Sequence, residues 1–510
     1  MDYKLIHQTV SLNQTVFDNS VEQSIDCDLT LPDYCPVIQR ILKCNITPQI
    51  NSYQMVGDRL TIDGFTLIRL FYTDENNKSV RCYEYQTPYS KSVEIKAAAE
   101  NACVSVCADM QYVNCRAVSQ RRVDIHGSFS LKIKISVCNN ENIITNVEGG
   151  GMELRRKSSS ISSIAGEAQR QFIVNEVLEI GSAKPAVQQI IRCNATAILR
   201  DFKIITNKLL LKGELVVKTL YCADSLDSNL EIVENSIPIS QIIDMEGVDD
   251  TSICDVRLNV LSFELQTKTD ASGETRLLDA NAKINASIKA MKMIDIDVIT
   301  DAYSTQCELN METKSMEFEK LVETFHDTAL CRKTIDVGSL SNVLDVWCDS
   351  ISPTAVQEEN ALWIRGTAVV CMLAISTDGS PVYIERTLDF EYKRELKISG
   401  EKIACQPFVN VLASDYTLNG ADRLDVRLEL SMDASVFITQ STKMISELSL
   451  DETREKPKNT AALTIYFAEA GEQVWEIARS YNTTVHAIVE ENELKEEMIR
   501  EKCMLLIPCV

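Results

Sequence analysis

The stretch "LLDANAKINASIKAMK" (residues 277–292) places Ala280, Ala282, Ile284, Ala286, Ile288 and Ala290 on one parity and Asn281, Lys283, Asn285, Ser287 and Lys289 on the other. Period-two alternation marks an extended strand with one buried face and one wet face. The segment "RLDVRLELSMDASVFI" (423–438) repeats the pattern with Leu424, Val426, Leu428, Leu430 and Met432, and "RVDIHGSFSLKIKISV" (122–137) is the third of the kind. Two packed antiparallel sheets or a barrel are the natural ways to bury such faces.

These strands close three copies of one unit. "CPVIQRILKCN" (35–45) matches "KPAVQQIIRCN" (184–194): Pro36 aligns with Pro185, Gln39 with Gln188, and Cys193 follows Cys44 by 149 residues. "LSNVLDVWCD" (340–349) places Cys348 a further 155 residues on, an offset that also aligns "IITN" (143–146) with "VITD" (298–301). A glycine recurs 20 residues after the first two cysteines (Gly64, Gly213) and 18 after the third (Gly366). Each unit is thus about 150 residues, an ordinary domain size. The recurring glycine reads as a bulge or bend in a strand. The recurring cysteine reads as a buried thiol at one structural position. A short helix near residues 36–43 is compatible with the pattern. The run "EGGGMELRRKSSSISS" (148–163) lacks GxGxxG and GxxxxGK[ST], so it reads as a turn entering a strand.

The 510-residue length suggests three or four domains. Hydrophobic residues make up 45% and charged residues 25%, an ordinary globular balance. The net charge of −23 argues against nucleic acid or an anionic membrane as partner, since both need clustered Lys and Arg. No segment approaches the roughly 20 apolar residues that span a bilayer, so direct membrane insertion is not expected. The first twenty residues carry no export signal, and a cytosolic chain is expected. The 18 cysteines then read as reduced, mostly buried thiols. No Ser/His/Asp set, carboxylate pair, phosphate loop, HExxH or Cys2His2 pattern occurs. No catalytic, cofactor or metal site is assigned, and no enzyme is expected.

"LPDYCPVIQRILKC" (31–44), followed by "GDRLTIDGFTLIRLFY" (57–72), resembles the SPOCS domain of spore-coat assembly proteins in endospore-forming bacteria. The likeness is best in the first copy, clear in the second and degraded in the third, where Asp345 falls at an apolar position. It implies non-catalytic assembly modules over residues 1–150, 151–305 and 306–445. A charged segment, 446–462, then reads as a linker.

Residues 463–510 resemble a LysM domain of strand, helix, helix and strand. Val474, Ile477, Ala478 and Tyr481 share one helical face, Thr484 stands where it caps a second helix, and "CMLLIP" (503–508) supplies the last strand. The sugar-gripping loops depart from the family pattern. Gly471-Glu472-Gln473 replaces Gly-Asp-Thr, and "REKC" (500–503) replaces a Pro-x-Gly-Gln loop, which counts against N-acetylglucosamine glycan. The candidate partner- or glycan-binding residues are Gly471, Glu472, Gln473, Val474, Trp475, Asn492, Glu493 and Leu494. Trp475 has two readings, core packing and a partner-facing anchor.

SPOCS-like repeats joined to a LysM-like domain are similar to the SipL-like family of spore-coat morphogenetic proteins, functional counterparts of SpoVID. That resemblance implies a scaffold in the mother-cell cytosol at the forespore surface. It implies binding to the coat morphogenetic ATPase, stage IV sporulation protein A, with other spore coat proteins as further partners. The alternative is a LysM-mediated binder of peptidoglycan- or chitin-type glycan.

Overall fold

The computed structural model describes residues 3–75, 79–95, 102–149, 151–224, 229–398, 401–420, 422–456 and 463–508, most of them in antiparallel strands. The first repeat comprises β1 (Tyr3–Thr30), β2 (Arg40–Val56), β3 (Arg59–Thr73), β4 (Val80–Glu94), β5 (Cys103–Ala117) and β6 (Arg122–Gly149). They form two three-stranded sheets, ordered β1-β6-β5 and β2-β3-β4. Leu60, Ile62, Ile68 and Leu70 of one sheet meet Ile125, Phe129, Leu131 and Ile133 of the other in a single apolar layer. Burying each such side chain contributes about 1.5–3 kcal/mol.

The second repeat uses the same plan. β7 (Met152–Glu179), β11 (Ile253–Thr269) and β12 (Thr275–Ser304) form one sheet; β8 (Val187–Ile205), β9 (Lys208–Ala223) and β10 (Leu230–Asp244) form the other. The alternating stretch 277–292 lies in β12, where Ala280, Ala282, Ile284, Ala286 and Ala290 are fully buried. The third repeat pairs β13 (Cys307–Asp336), β17 (Ile403–Cys405), β18 (Phe408–Asn419) and β19 (Arg423–Glu455) in one sheet. Its other sheet holds β14 (Leu340–Glu358), β15 (Ala361–Ser376) and β16 (Pro381–Glu395). At the junction after the first repeat, β6 ends at Gly149 with φ +88°, Gly151 has φ +58°, and β7 starts at Met152.

The segment 36–43 forms no helix. Ile38 N donates to Gln120 O in the turn between β5 and β6, Gln39 N donates to Thr73 O at the end of β3, and β2 begins at Arg40. Tyr72 Oη donates to Pro36 O at 3.1 Å, and Tyr221 Oη does the same to Pro185 O at 3.0 Å. The recurring tyrosine therefore pins the entry turn in both copies.

The recurring glycine sits where strands cross too closely for a side chain. A Cβ on Gly64 would stand 2.1 Å from Gln49 O and 2.6 Å from Tyr89 Oη; on Gly366 it would stand 2.3 Å from Ser352 O and 2.8 Å from Phe390 Cζ. In the first two repeats the expected bulge lies opposite the glycine, at Ile50/Ser52 and Leu199/Asp201. The cysteine is not at one position throughout. Cys44 pairs with Leu70 and Cys193 with Thr219, but the corresponding register in the third repeat is Val346–Met372. The shorter spacing to Gly366 carries the half-buried Cys348 two residues past that point.

The three repeats close into a ring about a pseudo-threefold axis. Beyond the sandwiches, the hairpins β1/β6, β7/β12 and β13/β19 run on as arms. Ile144, Ile299 and Ile445 meet between the arms, as do Val147, Ala302 and Leu448, each set related by the repeat spacing. At the other sheets, Phe71, Leu220 and Leu373 share a second axial cluster. Each of these sheets touches the next in turn. Gln189 Nε2 donates to Cys82 O at 2.6 Å, Lys218 Nζ to Val346 O at 3.3 Å, and Lys43 Nζ pairs with Glu385 Oε2 at 2.6 Å.

Lys43, Arg192 and Asp345 occupy the same register, opposite Phe71, Leu220 and Leu373. Asp345 is fully buried there, not an apolar position spoiled by drift: Oδ2 accepts from Arg192 Nη2 at 2.9 Å, and Oδ1 lies 3.0 Å from Lys218 Nζ in off-axis geometry. Arg192 also stacks 4.4 Å from the Trp347 ring centroid. A cation in place of Asp345 would have crowded Arg192 and Lys218 with a further like charge in a buried space; the carboxylate pairs with both.

The expected linker at 446–462 begins too early. β19 stays paired with β13 as far as Glu455 opposite Cys307, because Ile445 and Leu448 are buried among the arms. Pro457 to Ala462 lie outside the described residues. β20 (Leu463–Ala468), α1 (Val474–Ser480), α2 (Val485–Glu491) and β21 (Cys503–Pro508) follow as a βααβ module. Among the described residues no helix is long and apolar enough to cross a membrane.

Candidate functional site

The module's core forms as its sequence pattern dictates. Val474, Ile477 and Ala478 of α1 pack with Ile488 of α2 and with Leu505 and Ile507 of β21. Thr484 Oγ1 accepts from Ala487 N at 3.1 Å, capping α2. Tyr466 and Tyr481 meet edge to face at 5.6 Å.

The candidate residues divide between two structural duties. Gly471, exposed with φ +94°, turns the first loop; its N–H donates to Ile499 O at 2.7 Å, and Ile499 N donates to Glu472 O at 2.9 Å. The first of the loops expected to grip sugar is thus zipped through backbone to Ile499, directly before the second at 500–503. The Glu472 carboxylate accepts from Tyr466 Oη at 3.0 Å and from Glu469 N at 3.0 Å. Asn492 is a bracket, with Nδ2 donating to Ile488 O and Leu506 O and Oδ1 accepting from Leu506 N at 2.7 Å. Leu494 packs on the core and Glu493 is exposed. Among the described residues no hydrogen bond joins 471–475 to 492–494.

Val474 is fully buried, and Trp475 is 4% exposed. The partner-facing reading of Trp475 therefore gives way to an internal contact, which lies across a domain boundary. Its ring meets Tyr303 of the second repeat edge to face at 5.0 Å, and its Nε1 donates to Asp301 Oδ2 at 2.9 Å. Arg479, one turn on, donates Nη1 to Asp301 Oδ2 at 3.0 Å and Nη2 to Asp301 Oδ1 at 3.2 Å. Forked pairing of this kind fixes orientation as well as adding energy. Tyr303 Oη donates to Thr483 O at 2.8 Å, and Arg155 Nη2 donates to Gln473 Oε1 at 2.8 Å. Burial raises the Glu153 carboxyl above its ordinary value, opposed by the Val485 N–H and by His486. Burial likewise raises the Tyr303 hydroxyl. The module is seated at the tip of the second repeat's arm by a part-buried polar clamp.

Asp301, Tyr303 and Arg155 had no sequence signal. The aligned first-repeat residue for Asp301 is Asn146, so the seat is particular to one arm. Elsewhere, Asp26, Asp124 and His126 cluster on the first repeat. Both ring nitrogens face carboxylates there, Nδ1 towards Asp26 at 3.0 Å and Nε2 towards Asp124 at 3.1 Å, and no function is assigned to this surface group.

The family model described as SipL, SPOCS domain, matches residues 37–118 and 186–268. The matched spans start just before β2 and β8 and take in the recurring glycines of the first two repeats. No curated protein and no solved structure matches the chain. The match makes the first two repeats SPOCS-type and supports a SipL-like chain.

Proposed function

We propose that this chain is a non-enzymatic scaffold of endospore coat assembly, acting in the mother-cell cytosol at the forespore surface. Its LysM-like module binds the coat morphogenetic ATPase, stage IV sporulation protein A, and the ring of repeats offers surface to other coat proteins, a part like that of SpoVID. The carrying observation is the joining of SPOCS-type repeats, matched by the SipL model, with a βααβ module on the tip of the second repeat's arm. The ring supports the reading because its three sandwiches are joined to one another by buried apolar clusters and polar contacts. The zipped first loop supports it over glycan binding, since Glu472 and Gln473 are already bonded within the chain.

The test is capture from sporulating cells with the full chain and with a chain ending at Lys456, which keeps β19 whole. Retention of the ATPase by the full chain and its loss from the shorter one supports the reading. Equal retention by both, or by neither, defeats it. Tight binding of the full chain to N-acetylglucosamine oligomers would favour the glycan-binding alternative.

A further inference from the structure

The clamp on the second repeat fixes which side of the module stays open. β20 carries Leu463, Ile465 and Phe467 at 41%, 57% and 66% exposure, and Met504, opposite Phe467 on β21, is 54% exposed. The outer face of this two-stranded sheet is therefore an apolar strip. The same strand has an open edge. Leu506 bonds Asn492 through both its N–H and its C=O, so those groups point away from β20. Ile465 is the partner of Leu506, and in an antiparallel ladder both members of such a pair point outward. By the period of two, the N–H and C=O of Leu463, Ile465 and Phe467 all face the free side of β20. Among the described residues none of them has a hydrogen-bond partner.

Two further features set this edge apart. The opposite edge, on β21, is covered by Asn492. On β20 itself, no charged side chain or Pro stands among the three outward residues, although sheet edges are ordinarily guarded by such residues. The module from Leu463 to Pro508 carries nine Glu against four Lys and Arg. A second copy of the chain would bring the same excess of negative charge to the edge, on top of a chain charge of −23. Charge complementarity favours a basic occupant.

We propose that β20 is a strand-addition site. An extended segment of a partner protein, apolar at alternate positions and carrying Lys or Arg between them, pairs with the backbone of Leu463, Ile465 and Phe467 and covers Phe467 and Met504. Main-chain bonds supply affinity and the alternate side chains supply selectivity. This rests on the protein-binding role proposed for the module and names the surface that performs it.

The probe is the peptide acetyl-Lys-Ile-Lys-Val-Lys-Ile-Lys-amide, titrated onto the full chain while amide hydrogen exchange is followed. Exchange at Leu463, Ile465 and Phe467 is expected to slow, and the same peptide with Glu for Lys to bind at least about tenfold more weakly. Ile465→Pro removes one outward N–H without touching the β20/β21 ladder, a place where strands tolerate proline. It is expected to abolish the protection. Phe467→Lys, which changes only an exposed side chain, is expected to weaken binding at least about tenfold. Unchanged exchange at the three amides, or equal peptide binding by a folded Phe467→Lys chain, overturns the inference. If the coat ATPase binds the Ile465→Pro and Phe467→Lys chains as it binds the parent, the proposed function stands and the strand-addition site falls. If the ATPase fails to bind the parent, the function falls while the peptide still decides the site.

Discussion

Asp345 Oδ2 lies 2.9 Å from Arg192 Nη2, with both side chains buried between the second and third repeats. Lys218 completes the group from the other side. Asp345→Ala strands two cations in a desolvated space and is expected to cost about 3–5 kcal/mol of stability. Urea unfolding checks this. A variant as stable as the parent would show that the pair does not hold the ring. Replacing Arg192, Lys218 and Asp345 together by apolar residues of similar volume is expected to recover most of the loss.

Gly366→Ala is expected to destabilise by about 1–3 kcal/mol, because the added methyl meets a backbone carbonyl that cannot move without shifting β14. Gly181 provides the control. Its Cβ would meet nothing within 4 Å, so Gly181→Ala is expected to be neutral or to stabilise by up to about 1 kcal/mol. Similar melting shifts for both variants would contradict the close-crossing reading.

Asp301→Ala removes the acceptor shared by Trp475 and Arg479. It is expected to loosen the seat by about 1.5–3 kcal/mol, the range for hydrogen bonds to a charged group. The module's own core does not use Asp301. Faster amide exchange around Tyr303 and Thr483, with unchanged protection at Leu505, is the expected result. Trp475→Glu is more severe, since it buries a second carboxylate beside Asp301; circular dichroism and proteolysis together are expected to show the module released or unfolded.

His326 gives the third repeat a pH dependence. Its Nδ1 lies 3.0 Å from Asp433 Oδ1, and this bond, aided by the charges of Asp433, Asp255 and Asp327, holds the imidazole above its ordinary value of 6.5. A raised value in the folded state means the folded chain binds the proton more tightly. The stabilisation is thus complete below 6.5 and is lost as pH rises through the folded value. NMR titration of His326 checks the direction. A value below 6.5, or stability that rises across this window in the parent but not in His326→Gln, would contradict it.

The strand architecture was legible because alternation is a local property: Ala280 to Ala290 announce their face without help from distant residues. The recurring Gly64, Gly213 and Gly366 were legible as a position, although their cause, a carbonyl of the neighbouring strand, was not. The helix at 36–43 failed because its donors are claimed by Gln120 and Thr73, which no local pattern reveals. The linker was set too early because Asp451 and Arg454 on the wet face of a strand look like charges in a tether. Cys348 was misplaced by two residues because sequence alignment does not see strand register. The ring itself, and the seat of Trp475 on Asp301 and Tyr303, join residues more than 100 positions apart and left no trace in composition or spacing.

The central claim is that the C-terminal module binds the coat ATPase. Its most direct test is calorimetric titration of the purified ATPase into the full chain and into the chain ending at Lys456. Binding to the full chain that weakens at least about a hundredfold in the shorter one is expected. Equal affinity for the two chains would place the contact on the repeats and contradict the claim.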